Sequence, residues 1–272
     1  MKTSPIALLL AMTACRPDPE PKPAVAPDGF AFQAPPKPGE WLHHFKEEPQ
    51  TADHYRASCA NRRSKDRSVF YLQPLGDVGD RHGETLDRMR AYAEAFFGVP
   101  ARRLDPIPLF PEAHQPSRDQ HNASMIIARL ADRVPADALV YAGITDADLF
   151  SPGLRFVFGQ GSLQNRCGVY SLKRYATPDP ALFLRRALKL MSHEAGHILS
   201  IGHCVFFRCV MQGANHLEED DGHPMHLCPV DLEKLCWNTG VDPRARYERL
   251  GAFYRAAGLE AEAAWVDARL PK

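Results

Sequence analysis

The residues with the clearest chemical meaning lie between positions 193 and 203, in the run His193-Glu194-Ala195-Gly196-His197 followed by His203. Four residues advance an α-helix by about 400°, so His193 and His197 fall one turn apart on one face and can grip a single ion. Glu194 stands beside them, placed to take a proton from a water that a metal activates. A catalytic zinc site needs a third protein ligand and one open position, and His203 is the candidate. On a continuing helix His203 would sit about 240° round from His197 and roughly 9 Å further along, so the chain must turn back. Gly202 is expected to supply the left-handed residue for that turn.

The element that carries this cluster is legible. Asp179 and Pro180 form a helix start, N-cap and first helical position, and Phe183, Ala187, Leu190, Met191 and Ile198 recur at helical spacing to about Ser200. Upstream, Ser68–Gln73, Leu104–Phe110, Ala138–Ile144, Leu154–Gln160 and Cys167–Leu172 read as strands, the last two joined by a Gly-rich turn. Thr85–Phe97 and Asn122–Val134 read as helices. A mixed sheet backed by helices precedes a more helical, loop-rich C-terminal third.

The extended pattern resembles the archaemetzincins, a branch of the metzincin zinc metallopeptidases. Their signature is HExxHxxGxxHC, four residues, C, one residue, M, and a later CxxC. Here it corresponds to His193 through His203-Cys204, Cys209-Val-Met211 and Cys228. Further segments are similar to the family: Trp41-Leu42, Gln73–Gly76, Ile144–Phe150, Phe156–Gly159, Met211–Glu219 and Arg246-Tyr247. The resemblance implies an α+β, metzincin-like zincin fold: a mixed β-sheet with backing and active-site helices, plus a smaller helical and loop-rich C-terminal subdomain. It implies catalytic zinc on His193, His197 and His203, Glu194 as general base, Met211 in the turn beneath the metal, and Leu154–Gln160 as an edge strand that pairs with extended substrate. The expected function is zinc-dependent hydrolysis of peptide bonds in a peptide or protein substrate. Two other classes remain open: a binding or scaffold lipoprotein on an inactive metzincin fold, and a zinc hydrolase of a non-peptide bond.

Two positions depart from the family. Ser200 replaces the glycine that turns the chain, and a positive φ there would cost on the order of 1 kcal/mol or more. The family's structural zinc site has four cysteines; Cys204, Cys209 and Cys228 match, and the fourth position is Asp231. Cys236 is a poor substitute, about 12 Å from Cys228 along a helix axis. An exported chain offers disulfides as the rival reading, with Cys59 and Cys167 the best disulfide candidates. The acidic run Glu218–Asp221, near His216, His223 and His226, matches no calcium loop and reads as a solvated loop.

At the N-terminus, Lys2, an apolar run from Pro5 to Met12 and Thr13-Ala14-Cys15 resemble a bacterial lipoprotein signal, with Cys15 the lipidated residue. Eight prolines between Arg16 and Glu40 form a stiff tether. The expected division is therefore signal 1–15, tether 16–40 and catalytic domain 41–272. The expected location is an exported lipoprotein at the outer membrane, periplasm or cell surface of a Gram-negative bacterium, monomeric and held by Cys15. The 33 basic and 33 acidic residues give zero formal net charge, which offers nucleic acid no electrostatic footprint.

Overall fold

The computed structural model describes residues 29–270; the signal segment, Cys15 and the first part of the tether lie outside them. In chain order the elements are α1 (Trp41–His44), α2 (Ala52–Ser58), β1 (Val69–Pro74), α3 (Val78–Phe97), β2 (Ala101–Arg103), β3 (His114–Gln115), β4 (Gln120–Asn122) and α4 (Ala123–Ala131). There follow β5 (Ala138–Thr145), β6 (Leu149–Phe150), β7 (Gly159–Ser162), β8 (Cys167–Ser171), α5 (Pro180–Ile198), α6 (Leu217–Gly222), α7 (Pro229–Thr239), α8 (Pro243–Ala256) and α9 (Glu260–Asp267).

The main sheet has the order β2-β1-β5-β8-β7, with β7 antiparallel to β8 and the other neighbours parallel. Every residue of β1 and of β5 is buried because both faces are covered. Phe70, Leu72, Val140, Ala142 and Ile144 face α3 and α5, while Tyr71, Tyr141 and Val169 face α4. A small second sheet, β3-β4-β6, lies in the β2–β6 region of the chain.

Several expectations shift for physical reasons. The strand expected at Leu104–Phe110 is instead β2 at Ala101–Arg103; Pro106 and Pro108 lack the N–H needed for a ladder, and that segment keeps only an isolated bridge, Leu75 with Ile107. The strand expected at Leu154–Gln160 moves to Gly159–Ser162, and its turn to β8 is the Gly-free Leu163–Arg166 with Arg166 at φ 54°. The glycines lie in the strand itself. Glu218–Asp221 is not a solvated loop: it belongs to α6, capped by His216, whose Asp221 pairs with Arg186 at 2.6 Å and Asp220 with Lys189 at 3.2 Å, both on α5.

The expected boundary at Trp41 also moves. Phe32 bridges and stacks on Phe207, and Phe30 packs edge-on against Trp265, so the chain is already part of the domain by residue 30.

Candidate metal centre and catalytic cleft

Asp179 caps α5 by accepting from the Ala181 and Leu182 amides at 2.9 and 3.2 Å, and the helix runs to Ile198. Its last turns carry His193 and His197, whose Nε2 atoms lie 3.0 Å apart. The helix then ends in a Schellman turn: Ile201 N–H donates to Gly196 O and Ser200 N–H to His197 O, both at 2.9 Å. The left-handed residue is Ser200 at φ 71°, not Gly202. Its strained conformation is held from outside. Gln50 Nε2 donates to Ser200 O and Gln50 Oε1 accepts from Gly202 N–H, each at 2.9 Å, and Ala60 N–H donates to Ser200 Oγ. This turn brings His203 back to the other two histidines, with ring centroids 5.2 Å from His193 and 4.9 Å from His197.

The three imidazoles share one tautomer. His193 Nδ1 donates to Val210 O at 2.9 Å, His197 Nδ1 to Ile201 O at 2.8 Å, and His203 Nδ1 to the Glu47 carboxylate at 2.8 Å. Each Nε2 is thereby left as a lone pair, and the candidate donor atoms lie within 4.8 Å of one another. Burial favours the neutral form of two of the rings, pushing His193 well below its ordinary pKa and His197 down to about 4. Converging ring nitrogens with no proton between them repel unless a cation sits among them, and imidazole nitrogens suit zinc, so the donor set fits that metal.

Glu194, on the same helix, is 9% exposed. Burial pushes its carboxyl up to about 8, opposed by the Gly161 N–H. The edge strand β7 approaches so closely that a Cβ on Gly159 would stand 2.8 Å from Glu194 Cγ. Met211 lies beneath α5 in the same way: a Cβ on Gly196 would meet its sulfur at 2.5 Å. Glycine at 159 and 196 thus lets strand and Met turn close on the helix.

These groups open on a cleft of about 730 Å³ lined by Trp41, Phe45, Leu154, Phe156, Phe158 and β7 together with His193, Glu194, His197 and His203. Phe45 is 41% and Leu154 46% exposed, so its rim is apolar. Two polar contributors carry no sequence signal. Glu47 also accepts from Trp41 Nε1 at 2.9 Å, and Gln50 clamps the turn; both act from a short stretch without periodicity, across 150 positions or more.

A second cluster brings together Cys204, Cys209, Cys228 and Asp231, all buried, with donor atoms within 4.8 Å of one another. Asp231 Oδ2 lies 3.2 Å from Cys209 Sγ and 3.4 Å from Cys228 Sγ, while Oδ1 accepts from Lys234 Nζ at 2.8 Å. Cys209 Sγ also receives the Cys228 and Met211 amides at 3.2 and 3.5 Å. This set fits a soft divalent cation. All six described cysteines are free, so the rival reading's candidate pair, Cys59 and Cys167, is not bonded. Cys167 is buried in β8 against Ile127 O, while Cys59 follows α2 near Asn61.

Comparison with known proteins points to one family. Residues 127–236 match the model of peptidase family M54. The chain is 31% identical over 259 residues to archaemetzincin-2 of Rattus norvegicus, covering 78% of this chain and 71% of that protein. It is similar to the crystal structure of archaemetzincin from Methanopyrus kandleri, with 28% identity and a TM-score of 0.58, covering 66% of this chain and 99% of that one. The structure of archaemetzincin from Archaeoglobus fulgidus in complex with malonate gives 28% identity and a TM-score of 0.55, covering 61% and 99%.

Proposed function

The chain belongs to the archaemetzincin family and is a zinc metallopeptidase, and we propose that His193, His197 and His203 hold its catalytic zinc while Glu194 is the general base. The observation that carries this reading is the convergence of three Nε2 lone pairs beside one buried carboxylate at the floor of an open cleft. Zinc supplies, when bound, a Lewis acid that polarises the scissile carbonyl and draws the pKa of water toward neutrality.

The chain's own groups do the rest. Glu194 accepts the proton of the attacking water at its carboxylate and returns it to the leaving amine. Its burial raises its proton affinity, which favours holding the proton for delivery to the leaving amine. Edge strand β7 offers backbone N–H and C=O groups to an extended peptide, and the aromatic rim formed by Trp41, Phe45 and Phe156 favours apolar side chains on that peptide. Met211 supports the floor of the site from below α5.

The Cys204, Cys209, Cys228 and Asp231 cluster holds a second, structural zinc in this reading, supported by its closed, buried donor set. The protein acts as an exported lipoprotein with lipid on Cys15, supported by the signal-like N-terminus.

The decisive variant is Glu194→Gln. Zinc content measured on the purified protein is expected to stay at the wild-type level, while cleavage of a peptide library falls at least about a hundredfold. Unchanged cleavage would remove Glu194 from the reaction.

A further inference from the structure

Strand β7 gives the catalytic cleft a direction. A Cβ on Gly159 would meet Glu194 Cγ, and one on Gly161 would meet Ile198 Cγ1 and His197 Cβ, so β7 runs along α5 toward the C-terminal end of that helix. Its free edge closes at the other end, where Val157 bridges Leu149, and the loop between these two residues lines the cleft with Leu154, Arg155 and Phe156. An extended peptide that adds to β7 in the commoner antiparallel sense runs the opposite way, from the His197 end toward this loop. Residues on the C-terminal side of the cleaved bond therefore meet the loop.

Arg155 is exposed there and is the only Lys or Arg among the described residues that line the cleft. The two acids of that lining are engaged elsewhere: Glu194 in the reaction, and Asp220 with Lys189 at 3.2 Å. Asp148, just before β6, is taken by Arg174 through two contacts of 2.7 Å. Among the described residues no carboxylate pairs with the Arg155 guanidinium. The backbone that carries it is fixed, because Arg118 Nη2 donates to Leu154 O and Arg155 O at 3.3 and 2.5 Å, and Gln120 Nε2 to Arg155 O at 3.2 Å. Arg118 itself lies over the Phe150 ring and Arg174 over the Phe156 ring, 4.4 and 4.0 Å from the centroids. Three guanidinium groups thus share this wall with one carboxylate, and the excess positive charge favours an anion in the adjoining cleft. A guanidinium suits a carboxylate in particular, which it meets with two parallel N–H groups.

We infer, building on the peptidase reading above, that Arg155 is a specificity-determining residue. It receives a carboxylate of the substrate on the C-terminal side of the cleaved bond, supplied by an Asp or Glu side chain or by the chain terminus itself.

The test uses the full-length, zinc-loaded protein and a parent peptide that it cleaves, with the cleaved bond located by mass spectrometry. The first few residues on either side of that bond are set in turn to Glu, Gln or Lys, and each peptide is made with a free and with an amidated C-terminus. On the C-terminal side, Glu over Gln, or free acid over amide, is expected to raise kcat/KM about three- to fivefold at low salt, the scale of an exposed ion pair. High salt should remove the gain. A gain from Glu with either terminus identifies the side chain as the source; a gain from the free acid, in peptides that end close to the bond, identifies the terminus. Arg155→Gln is expected to abolish the preference, and Arg155→Glu to turn it into one for Lys; both variants change an exposed side chain and leave the loop carbonyls bonded to Arg118. Equal kcat/KM for Glu and Gln at every position, with acid and amide also equal, would overturn the inference while leaving the peptidase reading in place. So would a gain that survives Arg155→Gln, or one confined to the N-terminal side of the bond. Failure to find any cleaved peptide would overturn the peptidase reading, and the role of Arg155 with it.

Discussion

Glu47 meets His203 with both carboxylate oxygens near Nδ1, at 2.8 and 3.0 Å, and is itself held by the Trp41 indole. Burial opposes its ionisation, but the hydrogen bonds from His203 and from the Trp41 indole outweigh that and hold it below its ordinary pKa. A carboxylate behind a metal-binding imidazole fixes the tautomer and raises the basicity of the other nitrogen. The other two histidines lean on carbonyls, so His203 alone depends on a charged side chain. Glu47→Ala is expected to lower zinc affinity about 10- to 100-fold, read by competition with a chelating dye. Glu47→Gln should recover part of the loss, since its amide oxygen still accepts from Nδ1. Full wild-type affinity in the alanine variant would count against this role. The sequence announces His193, Glu194 and His197 because a helix turns local spacing into shared position. Glu47 stays hidden because its partner is 156 residues away.

At the level of elements, what was readable followed from burial and caps. The continuous apolar run of β5 and the Asp179-Pro180 start of α5 stand where composition puts them. Missed features arise where tertiary contacts override local preference. Ser200 adopts φ 71° because Gln50, Ala60 and the Schellman bonds hold the turn from both sides; local sequence favours Gly202. Strand β7 is read poorly because its glycines are weak strand formers, and they are there for the close approach to Glu194. Helix α7 presents the same kind of coupling. Three thiolates, a carboxylate and a divalent cation would leave a buried double negative charge, and Lys234, 2% exposed and paired with Asp231, halves it. Asp231→Cys keeps that double negative charge but removes the oxygen that accepts from Lys234 Nζ, and is expected to destabilise the zinc-loaded protein by about 2 kcal/mol. Adding Lys234→Met should return at least ~1 kcal/mol, because an apolar side chain of similar length needs no counter-ion. Urea unfolding of the wild type, both single variants and the double variant measures the coupling; strictly additive effects would mean that Lys234 does not serve the cluster.

At the level of the whole molecule, charge and hydropathy constrain how the enzyme meets a membrane. Basic and acidic residues balance at 33 each, so no net field attracts the chain to anionic lipid. Among the described residues no helix is long and apolar enough to cross a bilayer. The domain's first contacts, Phe30 on Trp265 and Phe32 on Phe207, use the aromatic side chains of residues 30–32 internally. On the proposed anchoring, the lipid on Cys15 thus carries the membrane contact, and the Pro-rich segment links it to the domain. Salt should then have no effect: in fractionated cells the wild-type chain is expected in the membrane pellet at both low and high ionic strength and to be released by detergent. Cys15→Ala should move it to the soluble fraction, with cleavage of a small peptide unchanged because the catalytic cleft lies wholly within the described domain. A Cys15→Ala chain that stays in the pellet until salt is added would place the contact on surface charge instead, and would overturn lipid anchoring.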